Sequence, residues 1–347
     1  MGTWRRRVSV KSGRSKPVKW DDLSMEIIEN PTHYEIKKAA KALKDAHLVA
    51  LPTETVYGLG ADATNENAIK RVYSVKGRPG DHPLIVHISS INHLEKWAID
   101  IPEYAINLAQ KFWPGPMTLI LKRQNLAKDF ITGGQDTIGI RVPAHPVALA
   151  ILSEFENIGG EGVAAPSANR FGAVSPTTAL AVYEEIGSHL SPEDLIVDGG
   201  PCALGIESSI IDCTMSNPNI LRPGVITLEM IEKFVKVNSC SDLSLNTIKT
   251  SGLLPNHYSP KAKVFLNMLS EPGEGFIAMA SIPTPKGSVR LSAPKNIVEF
   301  AQEMYEALRG GDRKNLAAIK VIVPEGAGLV DAIKDRLNKS SSKEHSN

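Results

Sequence analysis

Short apolar runs alternate with amphipathic stretches along most of this chain, and this alternation is the feature that most limits its fold. The apolar runs at 47–52 and 83–88 have the length of β-strands. Apolar residues at helical spacing predict helices over 33–46 and 64–73, and Thr32 begins a capping box at the start of the first helix. Strands that alternate with helices in this way are typical of an α/β fold.

The alternation continues beyond residue 100. Several neighbouring strands have no helix between them, so the sheet is predicted to be mixed rather than purely parallel. We therefore expect a twisted mixed β-sheet with flanking helices, followed by a small C-terminal α/β domain. The further helices predicted for the larger part are 103–112, 146–156, 177–188 and 227–236, and the further strands are 117–122, 137–142, 162–165, 194–197 and 207–212.

Composition divides the chain into four predicted parts. Residues 1–24 form a basic arm that is expected to be disordered, with a mitochondrial presequence as the alternative, and residues 25–237 form the main domain. Residues 238–260 are poor in charge and rich in Ser and Asn, which is typical of a linker. Residues 261–347 form the small second domain with a disordered tail. Its predicted strands are 261–266, 276–281 and 317–323, and its predicted helices are 294–309 and 326–338.

Charge and cysteine usage exclude several classes of protein. Residues 1–20 carry seven basic residues and no acidic one, so with a total charge of +1 the other 327 residues sum to −6. That body lacks the strongly basic character of proteins that hold long nucleic acids. The three cysteines form neither a zinc-binding pair nor a disulfide framework, which favours a reducing compartment. No apolar run approaches the roughly 18 residues that span a bilayer, so a cytoplasmic location without membrane association is predicted.

Basic side chains at turns are the first candidates for ligand binding. The phosphate-binding signatures GxxxxGK(S/T) and GxGxxG are absent from the sequence. Each candidate cation instead ends a predicted strand or lies close to Pro or Gly, where a rigid bend presents the charge. These cations are Lys76, Arg78, Lys122, Arg123, Arg141 and Arg222.

A polar run over 164–176 follows a predicted strand and precedes a predicted helix. Ser175 is the expected N-cap of that helix, because Pro176 suits its first position. Hydroxyl and amide side chains beside the N–H groups of a helix start predict an anion cradle formed by Ser167, Asn169 and Ser175. The alternative is a plain capped turn.

The run from Pro52 to Gly60 places two threonines, a carboxylate and two glycines directly after an apolar strand, at the sheet edge where α/β proteins bind ligands. His82 and His87 point to opposite faces of their strand and are a poor metal pair, so no metal site is predicted. No cysteine has an identifiable base nearby, and no catalytic nucleophile is predicted.

Seven ordered blocks between about residue 33 and residue 236 resemble the YrdC-like domain of the threonylcarbamoyl-AMP synthase family. Residues 251–260 and the tail resemble the linker and C-terminal domain of its long, two-domain members. The sequence departs from the family at His82, where Asn is common, and in its short C-terminal domain. The seven blocks are Pro52-Thr-Glu-Thr-Val-Tyr-Gly-Leu, Lys76-Gly-Arg-Pro with His82-Pro-Leu and His87, Trp113-Pro-Gly-Pro-Met-Thr-Leu, Arg141-Val-Pro, Ala165-Pro-Ser-Ala-Asn, Glu207-Ser-Ser-Ile-Ile-Asp and Leu221-Arg-Pro-Gly.

The resemblance implies a nucleotidyltransferase that condenses L-threonine, bicarbonate or CO2, and ATP to threonylcarbamoyl-AMP and diphosphate. The product would pass to a tRNA threonylcarbamoyl transferase. Mg²⁺ is expected on the triphosphate, and the sequence nominates no protein carboxylate as its ligand. By the same resemblance, the catalytic residues are Lys76, Arg78, Ser167 and Asn169; the ATP contacts are Arg78, His82, Thr118, Ser167, Ser175, Arg222 and Tyr258; and the threonine contacts are Thr55, His87, Lys122, Ala165 and Ser208.

The position of Tyr258 in the linker predicts that residues 250–260 fold back over the site as a lid. A non-catalytic module that binds double-stranded RNA or tRNA is the alternative to the enzyme, and weak tRNA binding by the enzyme is left open. An aromatic content of 5% is low for the stacking surfaces of such a module.

Overall fold

Residues 26–238, 248–250 and 258–341 are described by the computed structural model of the chain. The arm at 1–24, most of the linker (239–247 and 251–257) and the tail at 342–347 lie outside those ranges, so what the sequence predicts for them stays a prediction. None of the helices in the described ranges is both long and apolar enough to cross a membrane.

The larger part of the chain forms one mixed sheet of eleven strands, here called the main sheet. Strand β9 pairs in parallel with both β1 and β2, whereas β6 and β7 are antiparallel. The order is β1-β9-β2-β3-β8-β4-β7-β6-β10-β11, with β5 beside β6. Its strands are β1 (Glu26–Glu29), β2 (Val49–Leu51), β3 (Gly58–Asp62), β4 (Ile85–His87), β5 (Ala98–Ile99), β6 (Met117–Arg123), β7 (Thr137–Arg141), β8 (Val163–Ala164), β9 (Leu195–Asp198), β10 (Ser209–Asp212) and β11 (Asn219–Arg222).

Helices pack against this sheet. They are α1 (His33–Lys44), α2 (Glu66–Lys76), α3 (Leu94–Trp97), α4 (Glu103–Phe112), α5 (Asp129–Thr132), α6 (Pro146–Asn157), α7 (Ala179–Ile186) and α8 (Leu228–Ile231).

A second, parallel sheet of four strands follows in the order β12-β15-β13-β14. Its elements are β12 (Lys263–Leu266), β13 (Gly275–Ile277), β14 (Val289–Ser292), α9 (Ile297–Arg313), β15 (Ala318–Val321) and α10 (Leu329–Ser340), and residues 262–341 are here called the C-terminal unit. The predicted fold class, a mixed α/β sheet with a small C-terminal α/β domain, is confirmed.

Capping residues close in sequence determine where helices α1 and α2 begin and end. The predicted capping box at Thr32 and Glu35 is present at the start of α1. Helix α2 begins at Asn65, whose side chain accepts hydrogen bonds from the N–H groups of Asn67 and Ala68. It ends at Gly77, whose left-handed φ of 62° is a backbone state that glycine adopts readily. The turn at Gly77 fixes the direction of the chain between Lys76 and Arg78.

Two expectations about the elements are wrong. Ser175 does not cap α7, which begins at Ala179 with Thr178 as its N-cap, because the Ser175 hydroxyl donates to Glu207 instead. The helix predicted over 227–236 is helical only at Leu228–Ile231, after which the chain turns and Phe234 packs edge-on against Phe112.

Strand β3 was not predicted, because its sequence Gly-Leu-Gly-Ala-Asp lacks the β-branched and aromatic residues that mark strands. Packing requires those small residues. A Cβ at Gly60 would lie 2.9 Å from the carbonyl oxygen of Val49 and 3.0 Å from Cγ1 of Val163.

The two sheets share part of their hydrophobic core. Val56, Val174 and Ile206 from the main-sheet part pack in one buried cluster with Phe300 and Met304 of α9. The boundary between the two parts therefore contains an apolar cluster as well as ion pairs such as Arg309–Glu185, and it lies beside the cavity described next.

Candidate active site

A cavity that is open to solvent lies at the edge of the main sheet, next to the C-terminal unit. Its walls come from strand ends and the loops that follow or precede them, which is where ligands bind in open α/β sheets. The lining residues are Thr53, Thr55, Val56, Gly58, Pro83, Leu84, Ile85, His87, Arg141, Ala165, Pro166, Ser167, Glu207, Ser208, Arg222 and Tyr258.

The loop after β2 forms one wall through a compact hydrogen-bonded turn. The Thr53 hydroxyl accepts from the N–H groups of Thr55 and Val56, both at 3.2 Å, and it lies 2.8 Å from the Thr55 hydroxyl. The side chain of Glu54 points away from this turn and accepts from Arg141 Nη2 at 2.6 Å and from the Ala144 N–H at 2.9 Å. Thr53 thus holds the Thr55 hydroxyl at the cavity wall, and the buried ion pair anchors the intervening Glu54 to Arg141, which also lines the cavity.

His87 ends β4 with a buried ring in this wall. Burial, together with the positive charge of Arg141, lowers the pKa of His87 to about 3. Its Nδ1 atom has no hydrogen-bond partner within the described ranges. His87 therefore offers a neutral imidazole to a ligand at physiological pH.

The polar loop after β8 is held from below by Lys76. The ammonium group of Lys76 donates to the carbonyl oxygens of Ser167 (2.5 Å) and Asn169 (2.6 Å). Burial lowers the pKa of Lys76 well below its usual value, and the neighbouring Arg78 adds to that effect. Asn169 also acts within the loop, since its Nδ2 donates to the carbonyl oxygens of Arg170 and Ala173. Of the predicted anion cradle, Ser167 lines the cavity, Asn169 supports the loop together with Lys76, and Ser175 donates to Glu207.

Arg78 and His82 lie beside the cavity, next to Phe171. The guanidinium of Arg78 lies 5.9 Å from the centre of the Phe171 ring, and His82 meets the same ring edge-on at 5.3 Å. Arg78 also donates to the carbonyl oxygen of Pro83 at 3.0 Å, and Pro83 lines the cavity. Arg78 Nε is buried without a hydrogen-bond partner in the described part of the chain.

The opposite wall is built around Ser208. Its hydroxyl lies 2.8 Å from that of Thr118, and Arg222 donates to its carbonyl oxygen at 3.0 Å and to its hydroxyl at 3.1 Å. Thr118 thus supports the wall from behind, while Ser208 and Arg222 face the cavity.

Glu207, which precedes Ser208, connects this wall to the C-terminal unit. Its carboxylate accepts from the hydroxyl of Ser175 at 2.6 Å, from the hydroxyl of Tyr305 at 3.0 Å and from Arg336 Nε at 2.9 Å. Burial by itself would raise the pKa of Glu207, but Arg336 and Arg222 lower it to about 2. Glu207 is therefore ionised inside the protein.

Tyr258 closes this corner of the cavity. Its ring stacks on Tyr305 with centroids 5.7 Å apart, and the guanidinium of Arg336 lies 5.6 Å from its centre. Its φ of 66° is unusual for a residue other than glycine, which is typical of positions held by surrounding structure. The rest of the predicted lid, residues 251–257, lies outside the described ranges.

Lys122, predicted to contact threonine, lies apart from the other candidates. It is half-exposed and forms an ion pair with Asp100 at 3.1 Å. Thr118 and Lys122 are four residues apart on β6, and a strand rises about 3.3 Å per residue. That separation of about 13 Å between Cα atoms carries Lys122 away from the cavity wall that Thr118 supports.

The structure thus brings most of the predicted residues together in two layers. Those that line the cavity are Thr55, His87, Ala165, Ser167, Ser208, Arg222 and Tyr258. Those that lie behind or beside it are Lys76, Arg78, His82, Thr118, Asn169 and Ser175.

The site residues that sequence reasoning missed are Glu207, Tyr305 and Arg336. Glu207 was visible as a carboxylate at the start of an apolar strand, but nothing local indicated its distant partners. No group of three or more His, Cys, Asp and Glu side chains within the described ranges could hold a metal ion.

Two family models match the sequence. One, described as "Telomere recombination" and named for the Sua5, YciO and YrdC proteins, matches residues 41–224. The other, "Threonylcarbamoyl-AMP synthase, C-terminal domain", matches residues 226–342. Together they cover the main sheet apart from β1, and the C-terminal unit.

Relatives along nearly the whole chain agree with these models. A threonylcarbamoyl-AMP synthase of Pyrococcus abyssi is 38% identical over 336 residues, or 91% of this chain and 97% of the relative. One of Bacillus subtilis is 36% identical over 328 residues, or 88% of this chain and 93% of the relative. The crystal structure of P. abyssi Sua5 complexed with L-threonine is similar to this structure with a TM-score of 0.81 and 37% identity, covering 91% and 98% of the two chains. The chain therefore belongs to the threonylcarbamoyl-AMP synthase family, in its long, two-domain form.

Proposed function

We propose that this protein condenses L-threonine, bicarbonate or CO2, and ATP to threonylcarbamoyl-AMP and diphosphate. The observation that carries the proposal is a single cavity with hydroxyl groups, a guanidinium and a neutral imidazole on its walls, namely Ser167, Ser208, Arg222 and His87. Such a set can bind an amino acid and a nucleotide side by side. The near-full-length relatives that are named as this synthase support the same conclusion.

The reaction has two steps that balance without a protein nucleophile. The threonine amine attacks the carbon of CO2, which forms an N–C bond and releases a proton. When bicarbonate is the substrate, the same carbamate forms and a water molecule leaves. A carbamate oxygen then attacks the α-phosphorus of ATP, a new P–O bond forms, and the bond to the β-phosphate bridging oxygen breaks as diphosphate leaves. Catalysis of this kind depends on holding the reactants in line and on stabilising charge at the phosphates.

We assign threonine to the end of the cavity formed by Thr55, His87 and Ala165. A neutral His87 can hydrogen-bond to the substrate without adding charge. Since Lys122 lies outside the cavity, Arg141 is the lining cation that we assign to the substrate carboxylate. We assign the phosphates to Ser167 and Arg222, with Arg78 at the rim and Tyr258 over the nucleotide.

We propose that Mg²⁺ enters as the ATP complex and is held by the phosphate oxygens. Among the described residues, Glu207 lines the cavity and Glu54 lies next to it, and neither fits a metal site because Glu54 is paired with Arg141 and Glu207 with Arg336. The proposed role of this chain is thus to bind and orient the nucleotide, and its residues are not assigned as metal ligands.

The product is an activated carbamoyl donor, and we propose that a tRNA threonylcarbamoyl transferase in the cytoplasm consumes it. A non-catalytic RNA-binding module, the alternative considered from the sequence, is disfavoured by relatives that are named as a synthase over nearly the full chain.

Diphosphate release with parallel mass spectrometry tests the proposal. The purified protein is incubated with MgATP, threonine and bicarbonate, and each component is omitted in turn. We expect diphosphate and threonylcarbamoyl-AMP only in the complete mixture. Diphosphate release that is independent of threonine would contradict the assignment.

A further inference from the structure

Glu207 poses an electrostatic problem for a cavity that binds a triphosphate. Its ionised carboxylate lines the same wall as Ser208 and Arg222, where the proposed function places the anionic phosphates. In a buried, weakly screened environment, an uncompensated negative charge there would repel the nucleotide.

The C-terminal unit supplies the charge that compensates Glu207. Arg336 of α10 is fully buried and donates to Glu207 through Nε at 2.9 Å, while its Nη1 donates to the Pro223 carbonyl oxygen at 2.9 Å and to Asp335 at 2.7 Å. Tyr305 of α9 adds a neutral donor to the same carboxylate at 3.0 Å. Both groups reach Glu207 across the boundary between the two parts of the chain.

The same contacts orient two residues of the site. Glu207 accepts from Ser175, so the loop that carries Ser175 is tied to this carboxylate. The ring of Tyr258 lies against both the ring of Tyr305 and the guanidinium of Arg336. If Arg336 were replaced by an apolar side chain, Glu207 would keep its charge without its ion-pair partner, the arrangement that is most costly in a protein interior.

We propose that Arg336 and Tyr305 are positioning residues for ATP, which act from the C-terminal unit by neutralising and orienting Glu207. The C-terminal unit thereby forms part of the nucleotide site without touching the nucleotide through these two residues. This inference rests on the proposed function for the identity of the ligand, but it concerns nucleotide affinity and not the chemical step.

The test compares ATP affinity by calorimetry in the absence of threonine, with KM values for ATP and threonine measured separately. Arg336→Met removes the compensating charge, and we expect it to weaken ATP binding at least about tenfold while KM for threonine changes less than about threefold. Arg313→Met is the matched control. Arg313 joins α9 to α7 through Glu184 at 2.8 Å across the same boundary but does not contact the cavity.

The double variant Glu207→Gln with Arg336→Met distinguishes an effect of the uncompensated Glu207 charge from a general disturbance of the structure. It removes both members of the ion pair, so we expect ATP affinity to return to within about threefold of wild type. A merely structural role for Arg336 predicts no such rescue. Tyr305→Phe, which removes only a hydroxyl, is expected to weaken ATP binding about threefold. It replaces Arg336→Met as the test variant if Arg336→Met does not fold.

The inference would be overturned if Arg336→Met and Arg313→Met bound ATP with equal affinity, or if the double variant bound ATP no more tightly than Arg336→Met. If Arg336→Met does not fold, an unchanged ATP affinity in Tyr305→Phe would overturn it. Failure of the wild-type protein to make threonylcarbamoyl-AMP while it still binds ATP would overturn the proposed function instead. The two failures are therefore distinguishable.

Discussion

The ammonium group of Lys76 donates a 2.5 Å hydrogen bond to the carbonyl oxygen of Ser167, from beneath the loop whose side chains face the cavity. The resemblance to the family implies a catalytic role for Lys76. Its position at the end of α2, buried and bonded to two carbonyl oxygens, makes it a support of the loop to which we assign the phosphates.

Replacing Lys76 should therefore damage both stability and activity. Lys76→Met removes the donor of the buried Asn169 carbonyl oxygen and one of the two donors of the Ser167 carbonyl oxygen, which also accepts from the Asn169 N–H. A buried group left unsatisfied costs about 1–3 kcal/mol of unfolding free energy. Lys70→Met on the exposed side of the same helix is the control and should change stability by less than about 0.5 kcal/mol. Thermal melts and diphosphate release check both variants. Full activity and unchanged stability in Lys76→Met would refute the supporting role.

His87 should remain neutral throughout the working pH range. With its pKa lowered to about 3 by burial and by Arg141, KM for threonine should show no imidazole titration between about pH 6 and 8. His87→Asn should raise that KM about tenfold, because an amide replaces the ring at a hydrogen-bonding position. His189→Asn, at an exposed position, is the control and should have no effect. An inflection near pH 6.5 that disappears in His87→Asn would show that the ring is protonated in use.

Acid should weaken the fold through Glu207. Its pKa is about 2 in the folded protein against 4.5 ordinarily, so its contribution to stability is present above pH 4.5 and is lost as the pH falls toward 2. The charged groups that face it are Arg336 and Arg222, with the hydroxyls of Ser175 and Tyr305 as donors.

Denaturant unfolding of wild type and Glu207→Gln at a series of pH values measures this contribution. The stability difference between them should shrink by about 3 kcal/mol between pH 4.5 and pH 2. A difference that does not depend on pH would mean that Glu207 is not ionised in the folded state.

The amino-acid end of the cavity should select threonine. Hydroxyl and imidazole groups on its walls would lose a partner when the substrate lacks the threonine hydroxyl, and discrimination of that kind is strong. We expect 2-aminobutyrate to be at least about a hundredfold poorer than threonine in kcat/KM, with serine between them. Equal rates for the three substrates would show that the amino-acid site has been misplaced.

The sequence predicted best what local patterns determine. The helix over 33–46 and its capping box were predicted, because caps and apolar spacing act within a few residues. Strand β3 was missed, because close packing around Gly60 and not local propensity determines it. Ser175 was misassigned as a cap for a similar reason: its partner, Glu207, lies 32 residues away.

For the site, too, the residues in local motifs were predicted, whereas contacts between distant parts of the chain were not. The resemblance to the family placed Thr55, Ser167 and Arg222 at one site, and the structure brings them to one cavity. The ion pair of Glu207 with Arg336 joins residues 129 positions apart, and no spacing rule in either segment indicates it. Lys122 was assigned to threonine for its charge, but it lies four residues beyond Thr118 on the same strand. That distance is too large for its side chain to share the cavity.

The most direct test of the central claim is mass spectrometry of the reaction product made with ¹³C-bicarbonate, MgATP and threonine. The proposed chemistry predicts threonylcarbamoyl-AMP whose mass rises by one ¹³C atom, formed in equal amount with diphosphate and absent when threonine is omitted. Release of diphosphate without labelled threonylcarbamoyl-AMP, or formation of ADP and phosphate instead of diphosphate, would contradict the proposed chemistry.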